Sequence, residues 1–462
     1  MNDARTPSVR SSRGRLVLSA LPVVLAACRI AAPRVSPEED IALATGVADA
    51  VSFRVQGGPI DEDGAETPTL ALADALRKAL ATDPGLQAAL ARVRVAQAEA
   101  ELAGLLPNPI LDLVLRFPEG GGEANLEAGL GADLLAILQR PRRASAAGHR
   151  LQRESALALA AALDLLADVQ ERYAEVQALE ELVLVLERRS ESFERLREVA
   201  QARLELGEGT QHEVTTLDSE RTELAVEVAQ RRRELRVARL ALARRIGEPS
   251  SAAAWRLDPW SAPAGVPADE QPWMDAALTA RPEILAIEWE IRARADDEVL
   301  AGRAVFEGAS VGLDAERDGN WSAGPGFATP IPLFDGGGAR RERARALTAE
   351  ERHRLTEARR GVVEQTRTAL VGLVGAQADL ERVVRDLVPL QQSRRDQIEE
   401  AYRVGHVDVT ALLLADQALQ GALARRIGLE REVSSALYRL QRAVGGPSAL
   451  TAVVTAAQQS KP

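Results

Sequence analysis

The chain has one cysteine, two methionines and four histidines, and aromatic residues make up 3% of it. With Cys28 alone, no internal disulfide can form. His149, His212, His353 and His406 show no metal-ligand spacing and have no thiolate to assist them, so no metal site is expected. No Ser/His/Asp set, glycine-rich phosphate loop or HExxH appears, so neither catalysis nor a cofactor has support. The formal charge is −11. Phosphate binding needs a basic footprint, which argues against nucleic acid as a partner. The apolar run Leu16–Leu25 is too short to span a bilayer as a helix.

What is present begins with a targeting signal. Arg5, Arg10, Arg13 and Arg15 precede that apolar run, which closes on Leu25-Ala26-Ala27-Cys28. This resembles a bacterial lipobox, implying cleavage after residue 27 and acylation of Cys28; the other reading is an ordinary signal peptide with an incidental cysteine. Arg29, where an aspartate would favour inner-membrane retention, points to the outer membrane. Residues 28–68, with Pro33, Pro37 and Gly57-Gly58-Pro59, read as a lipid-anchored tether with no core of its own.

From Thr69 the chain repeats itself at an offset of 198 residues. Pro84 meets Pro282, Gly104 meets Gly302, Gly207 meets Gly405, Asp218 meets Asp416, and Gly247 meets Gly445. The boundaries are 69–249 for the first repeat, 250–271 for a linker, 272–447 for the second repeat and 448–462 for a C-terminal tail. Each repeat reads as helix, β-hairpin, long helix, turn, helix. Pro107 and Pro109 end the opening helix, since proline cannot continue the ladder. Leu111, Leu113, Leu115 and Phe117 then alternate with Asp112, Val114 and Arg116, and Leu126, Leu130 and Leu134 return, giving a hairpin at about 109–137. A long helix is expected from Pro141 to about Leu206. In the second repeat the hairpin spans about 309–334, with Trp321, Phe327, Thr329, Ile331 and Leu333 on one strand face. Its long helix runs from Ala339 to Val404, a rod of roughly 100 Å at about 1.5 Å per residue. Val169, Tyr173, Val176, Val183, Leu186, Ser190 and Phe193 follow a heptad-like spacing that packs such rods together.

Four strands cannot close a barrel in lipid, because open edges leave backbone groups unpaired. Three copies supply twelve, an even number that can close. Phe117, Trp321 and Phe327 are candidates for an interfacial girdle, and Arg140, Arg142 and Arg143 for a membrane boundary. A soluble β-tip packed on a partner is the other reading.

The paired repeat, TPIPLFDGG at 329–337, YRVGHVDVTALLLADQAL at 402–419, RLQRAVGG at 439–446 and TLALADALRKALATDPGL at 69–86 together resemble the outer-membrane efflux protein (TolC-like) family, in its lipoprotein branch. The fold implied is mainly α with a small β part: a homotrimer with an α-helical barrel and a 12-stranded transmembrane β-barrel, four strands per chain. The function implied is the outer-membrane channel of a tripartite efflux system. It is a passive conduit, not an enzyme, seated in outer-membrane lipid and extending into the periplasm. Its partners are a periplasmic adaptor and, through it, an inner-membrane pump. By the same resemblance the adaptor meets the turns at Gly207, Glu208 and Gly209 and at Gly405, His406 and Asp408. Many relatives carry an acidic pore ring just beyond the second turn. Here Ala411 and Leu414 occupy those places, so an apolar gate formed by them, with Tyr402, is expected; the other reading makes Leu412, Leu413 and Leu414 coiled-coil core. Asp218 and Asp416 either face the lumen or lie on solvated helix surface. A rival of another class is a lipid-anchored periplasmic adaptor or coiled-coil scaffold protein, which would carry one helical hairpin between large β domains.

Overall fold

The computed structural model describes residues 30–47, 51–58, 69–117, 119–121, 124–260, 266–267, 269–318 and 320–459. The expected leader 1–27 and Cys28 lie outside the described residues.

The elements, in order, are α1 (Pro37–Thr45), β1 (Thr69–Leu70), α2 (Leu72–Thr82), α3 (Pro84–Ala103), β2 (Ile110–Arg116), β3 (Asn125–Asp133), α4 (Leu134–Glu205) and α5 (Gln211–Arg245). Next come β4 (Arg256–Leu257), α6 (Gln271–Ala280), α7 (Pro282–Arg303), β5 (Ser310–Asp318), β6 (Asn320–Ala328) and α8 (Gly338–Arg382). A π turn (Val383–Leu387) leads into α9 (Val388–Arg403), followed by α10 (Val409–Ala443) and α11 (Pro447–Gln459). The duplicated order of helix, hairpin, long helix and returning helix is therefore present. No helix among the described residues is long and apolar enough to cross a membrane.

The chain divides into two compact units. One contains residues 92–155 and 285–356 with the described N-terminal segment up to Val35, and holds the β-hairpins. Strands β2, β3, β5 and β6 form one antiparallel sheet in that order, and among the described residues β2 and β6 have free outer edges. The other unit contains residues 36–91, 156–284 and 357–462, and is helical apart from a short parallel pair, β1 with β4. Tyr173 ties that pair down. Its hydroxyl donates to the Leu70 carbonyl at 2.8 Å and accepts from the Asp258 N–H at 2.9 Å. Burial pushes this phenol up to about 12. Its heptad companions Val169, Val176, Val183, Leu186 and Phe193 are all buried.

Several boundaries differ from expectation, each for a physical reason. Helix α4 starts at Leu134, not after Pro141, because Asp133 caps it: its carboxylate accepts the Ala136 N–H at 2.8 Å. Pro141 sits inside the helix and removes one ladder donor, and nearby the Arg143 guanidinium donates to the Ala136 carbonyl at 2.9 Å. In the second repeat the strand stops at Ala328 and does not run on to Leu333. Pro330 and Pro332 have no N–H to offer a ladder, and 329–337 is irregular. The long helix that follows is broken in character by the π turn just before Pro389. The Val388 N–H reaches back to the Val383 carbonyl, a wider turn that accommodates the proline ring. Residues 448–462, expected as a tail, contain α11. The tether contains α1, whose Ile41 is fully buried, and the Ser448 hydroxyl donates to the Leu43 carbonyl at 2.5 Å. An isoleucine one turn beyond an N-terminal Pro-Glu-Glu run gives this stretch a core contact that its prolines concealed.

Candidate functional site

The residues singled out by the sequence fall in two places, and each lies within one unit. The first is the sheet. Register puts Leu111, Leu130, Leu313 and Pro325 in one cross-strand row, Leu113, Ala128, Ala315 and Ala323 in the next, and Leu115, Leu126, Arg317 and Trp321 beyond it. Because side chains alternate across a strand, these rows share one face. The intervening rows hold Asp112, Gly129, Asp314 and Gly324, then Val114, Glu127, Glu316 and Ser322, and belong to the other. One face is thus leucine-rich and exposed, the other small and acidic. On the acidic face the Asp314 carboxylate occupies the space beside two glycines. A Cβ at Gly326 would stand 2.1 Å from Asp314 Oδ2, and one at Gly129 would stand 3.1 Å from Oδ1. Arg116 pairs with Glu127 on this face, leaving Asp112, Asp314 and Glu316 in excess.

The second place is the pair of turns closing the long helices. Gly207 (φ 74°) and Gly405 (φ 78°) are left-handed, as the ends of both helices demand. In the first, the Glu208 N–H donates to the Arg203 carbonyl at 2.9 Å and the Gly207 N–H to Leu204 at 3.0 Å. In the second, His406 donates to Ala401 at 2.9 Å and Gly405 to Tyr402 at 3.0 Å, the same motif 198 residues on. Each following helix is then capped by a side chain, Thr210 accepting from Glu213 N–H at 3.3 Å and Asp408 from Ala411 N–H at 3.0 Å. Beneath the turns, Phe193 and Ala200 of α4, Val214 and Leu217 of α5, and Val409 and Leu412 of α10 form one apolar core.

Arg203 binds the two turns to each other. Its guanidinium donates to the Tyr402 carbonyl at 3.2 Å and to the Glu208 carbonyl at 3.2 Å. It also lies 5.2 Å from the centre of the Tyr402 ring. Nothing in the sequence singled it out among so many helical arginines, although it ends its helix one turn before a glycine. Tyr402, expected at the pore, is 0% exposed and belongs to this core. Burial raises its phenol above the usual value, the Glu213 carboxylate adds to that, and Arg203 opposes it.

Of the other gate candidates, Leu414 is 58% exposed and Ala411 half-buried, while Leu412 is buried, so the three leucines divide between surface and core. Glu208, Gly209, His406 and Asp408 stand at the turn surfaces, His406 fully within the second one. Asp416 is neither solvated nor free: it is buried, its carboxylate 2.7 Å from Arg189 Nε. Asp218, its repeat equivalent, pairs with Arg197 at 2.9 Å in a far more open setting. Arg142 joins Asp296 at 2.7 Å, and His149, stacked on Trp289, lies 3.6 Å from the same carboxylate. Burial lowers the His149 pKa, with Asp296 opposing. Among the described residues no group of His, Cys, Asp or Glu could hold a metal ion.

Residues 273–446 match the family model described as outer membrane efflux protein. No curated protein matches the chain in sequence. Among solved structures, the outer membrane protein VceC from Vibrio cholerae is similar over 81% of this chain and 96% of its own, with a TM-score of 0.69 and 20% identity. The outer-membrane channel OprN is similar over 91% of this chain and 97% of its own, with a TM-score of 0.69 and 19% identity. The Campylobacter jejuni outer membrane channel CmeC covers 91% of this chain and 95% of its own, with a TM-score of 0.66 and 13% identity. At such identities the likeness is one of fold. Residues 273–446 thus resemble the outer membrane efflux protein family, and the chain shares the fold of these solved outer-membrane channels.

Proposed function

We propose that three copies of this chain form the outer-membrane conduit of an efflux system, twelve strands closing a barrel in lipid and the helices continuing it into the periplasm. The observation that carries this reading is the sheet: four antiparallel strands, a leucine-rich face, a glycine-and-carboxylate face and two free edges. Free edges in hydrocarbon leave backbone groups unpaired, and a partner strand on each side removes them. The leucine face then meets lipid and the acidic face lines water. The conduit is passive; the energy comes from an inner-membrane pump, reached through a periplasmic adaptor whose hairpins pack on the turns at Gly207–Gly209 and Gly405–Asp408. Acylated Cys28 would add a lipid anchor, and the exposed Leu414, beside Ala411, would supply an apolar constriction.

The test is reconstitution of the mature protein in detergent and then in planar bilayers. A particle of trimer mass that gives stepwise ion conductance is expected. A monodisperse monomer that stays soluble without detergent and passes no current would overturn the proposal.

A further inference from the structure

Resting on the trimeric reading, we infer that Ile331–Phe334 is an inter-subunit clasp, seated on the segment that leads into β2 of the neighbouring copy. Three observations carry this. First, Ile331, Leu333 and Phe334 are exposed, Phe334 fully, although they are among the most apolar residues in their part of the chain. Second, the segment cannot be a strand edge awaiting a ladder. Pro330 and Pro332 lack donors, and the Leu333 N–H is already bonded to the Ile331 carbonyl at 2.8 Å. It must therefore be satisfied by side-chain packing. Third, topology says what it would pack on. Strands alternate in direction through β2, β3, β5 and β6. A neighbour's β2 that continues the alternation lies antiparallel to β6, so the chain leaving β6 at Ala328 meets the chain entering β2 at Ile110. That entry carries its own exposed leucines, Leu102, Leu105 and Leu106. Two apolar segments, each bare in the single chain, are brought together at the foot of the barrel.

Lipid is the competing occupant, and the backbone argues against it. Irregular chain at membrane depth leaves carbonyls unpaired in hydrocarbon unless protein covers it. The base of the clasp is also held in a fixed shape. The Asp335 carboxylate accepts the Gly337 N–H at 2.8 Å and pairs with Arg340 at 2.9 Å. Gly337 is left-handed (φ 75°), and a Cβ there would stand 2.7 Å from Val305 Cγ1. Ile331–Phe334 is thus presented from a built turn.

The experiment pairs Phe334→Cys with Leu102→Cys, Leu105→Cys or Leu106→Cys in the full chain, followed by oxidation in outer-membrane vesicles. Cys28 is the only native thiol, so the background is low. A disulfide forms only where Cα atoms come within roughly 7 Å. At least one pair is expected to give covalent dimer and trimer bands that vanish on reduction, while each single variant gives none. Sizing of the unoxidised variants in detergent separates the two levels of the argument. Trimers with no cross-link from any of the three pairs would overturn the clasp and leave the conduit standing. Trimers in which the Phe334→Cys thiol instead reacts with a membrane-partitioning maleimide would assign the segment to lipid and overturn it equally. Monomers throughout would overturn both.

Discussion

Asp416 and Asp218 hold equivalent places in the two repeats and both pair with an arginine of α4, yet their substitution should have very different consequences. The Arg189–Asp416 side chains are 14% and 6% exposed, and the contact is 2.7 Å. At an effective dielectric of about 20 the gross attraction is roughly 6 kcal/mol. Desolvation of both ions offsets most of it, so the pair itself contributes little beyond a matched apolar pair. Removing one partner is another matter. Asp416→Ala leaves the Arg189 guanidinium inside the helical unit, 5.1 Å from the Phe193 ring, with no carboxylate, at a cost of about 3–5 kcal/mol. In the Arg197–Asp218 pair the side chains are 33% and 46% exposed, and water replaces whatever is deleted, so Asp218→Ala should cost about 1 kcal/mol or less. The assay is thermal unfolding of the detergent-solubilised protein followed by circular dichroism, at one protein concentration and scan rate. The ordering to look for is a large fall in midpoint for Asp416→Ala, a small one for Asp218→Ala, and substantial recovery in the double variant Arg189→Leu/Asp416→Leu. Equal shifts for the two alanine variants would refute the burial argument. So would a double variant as unstable as the single one.

Further outcomes follow from other sites. Arg203→Met keeps the length of the stem but removes both carbonyl bonds and the ring contact, so amide exchange at 205–209 and 403–407 should speed by about tenfold or more, in line with the loss of one to two hydrogen bonds to a charged group. If exchange rises in only one turn, the arginine does not join them. His149 has its pKa lowered by burial, so the folded state resists a proton that the unfolded state accepts. Its contribution is therefore present above the unfolded value near 6.5 and lost as pH falls through the folded one; His149→Phe should flatten the stability slope below that unfolded value. With Asp112, Asp314 and Glu316 in excess on the acidic face, bilayer reversal potentials in a salt gradient should show cation preference. Asp314→Asn with Glu316→Gln should reduce it, whereas unchanged selectivity would remove that face from the water path.

The fold was legible because duplication writes it twice. Gly207 with Gly405 and Pro84 with Pro282 mark the same turns in each half, and alternation in Leu111–Leu115 is enough to read a strand. Edges were less legible, since the signals compete. Proline at 141 reads as a helix start, but an aspartate at the strand's end had already capped the helix. Thr329, Ile331 and Leu333 alternate like a strand, yet their neighbours Pro330 and Pro332 deny the ladder its donors. The turns were readable from glycine; what lies under them was not. Tyr402 reads as a pore candidate beside its glycine; in the single chain it is buried in an apolar cluster, with Arg203 of another helix against its ring. Long-range pairings of this kind, Arg189 with Asp416 among them, leave no local trace in a chain so rich in arginine.

The two-faced sheet has one more consequence. It has no interior. Leucines stand bare on one side, and glycines and carboxylates stand on the other. In a lone subunit such a sheet gains little from existing, since a few strands need a hydrophobic layer to hold them. On the proposed trimeric reading, its hydrogen-bonded order should therefore arrive late, when neighbouring copies and bilayer arrive together.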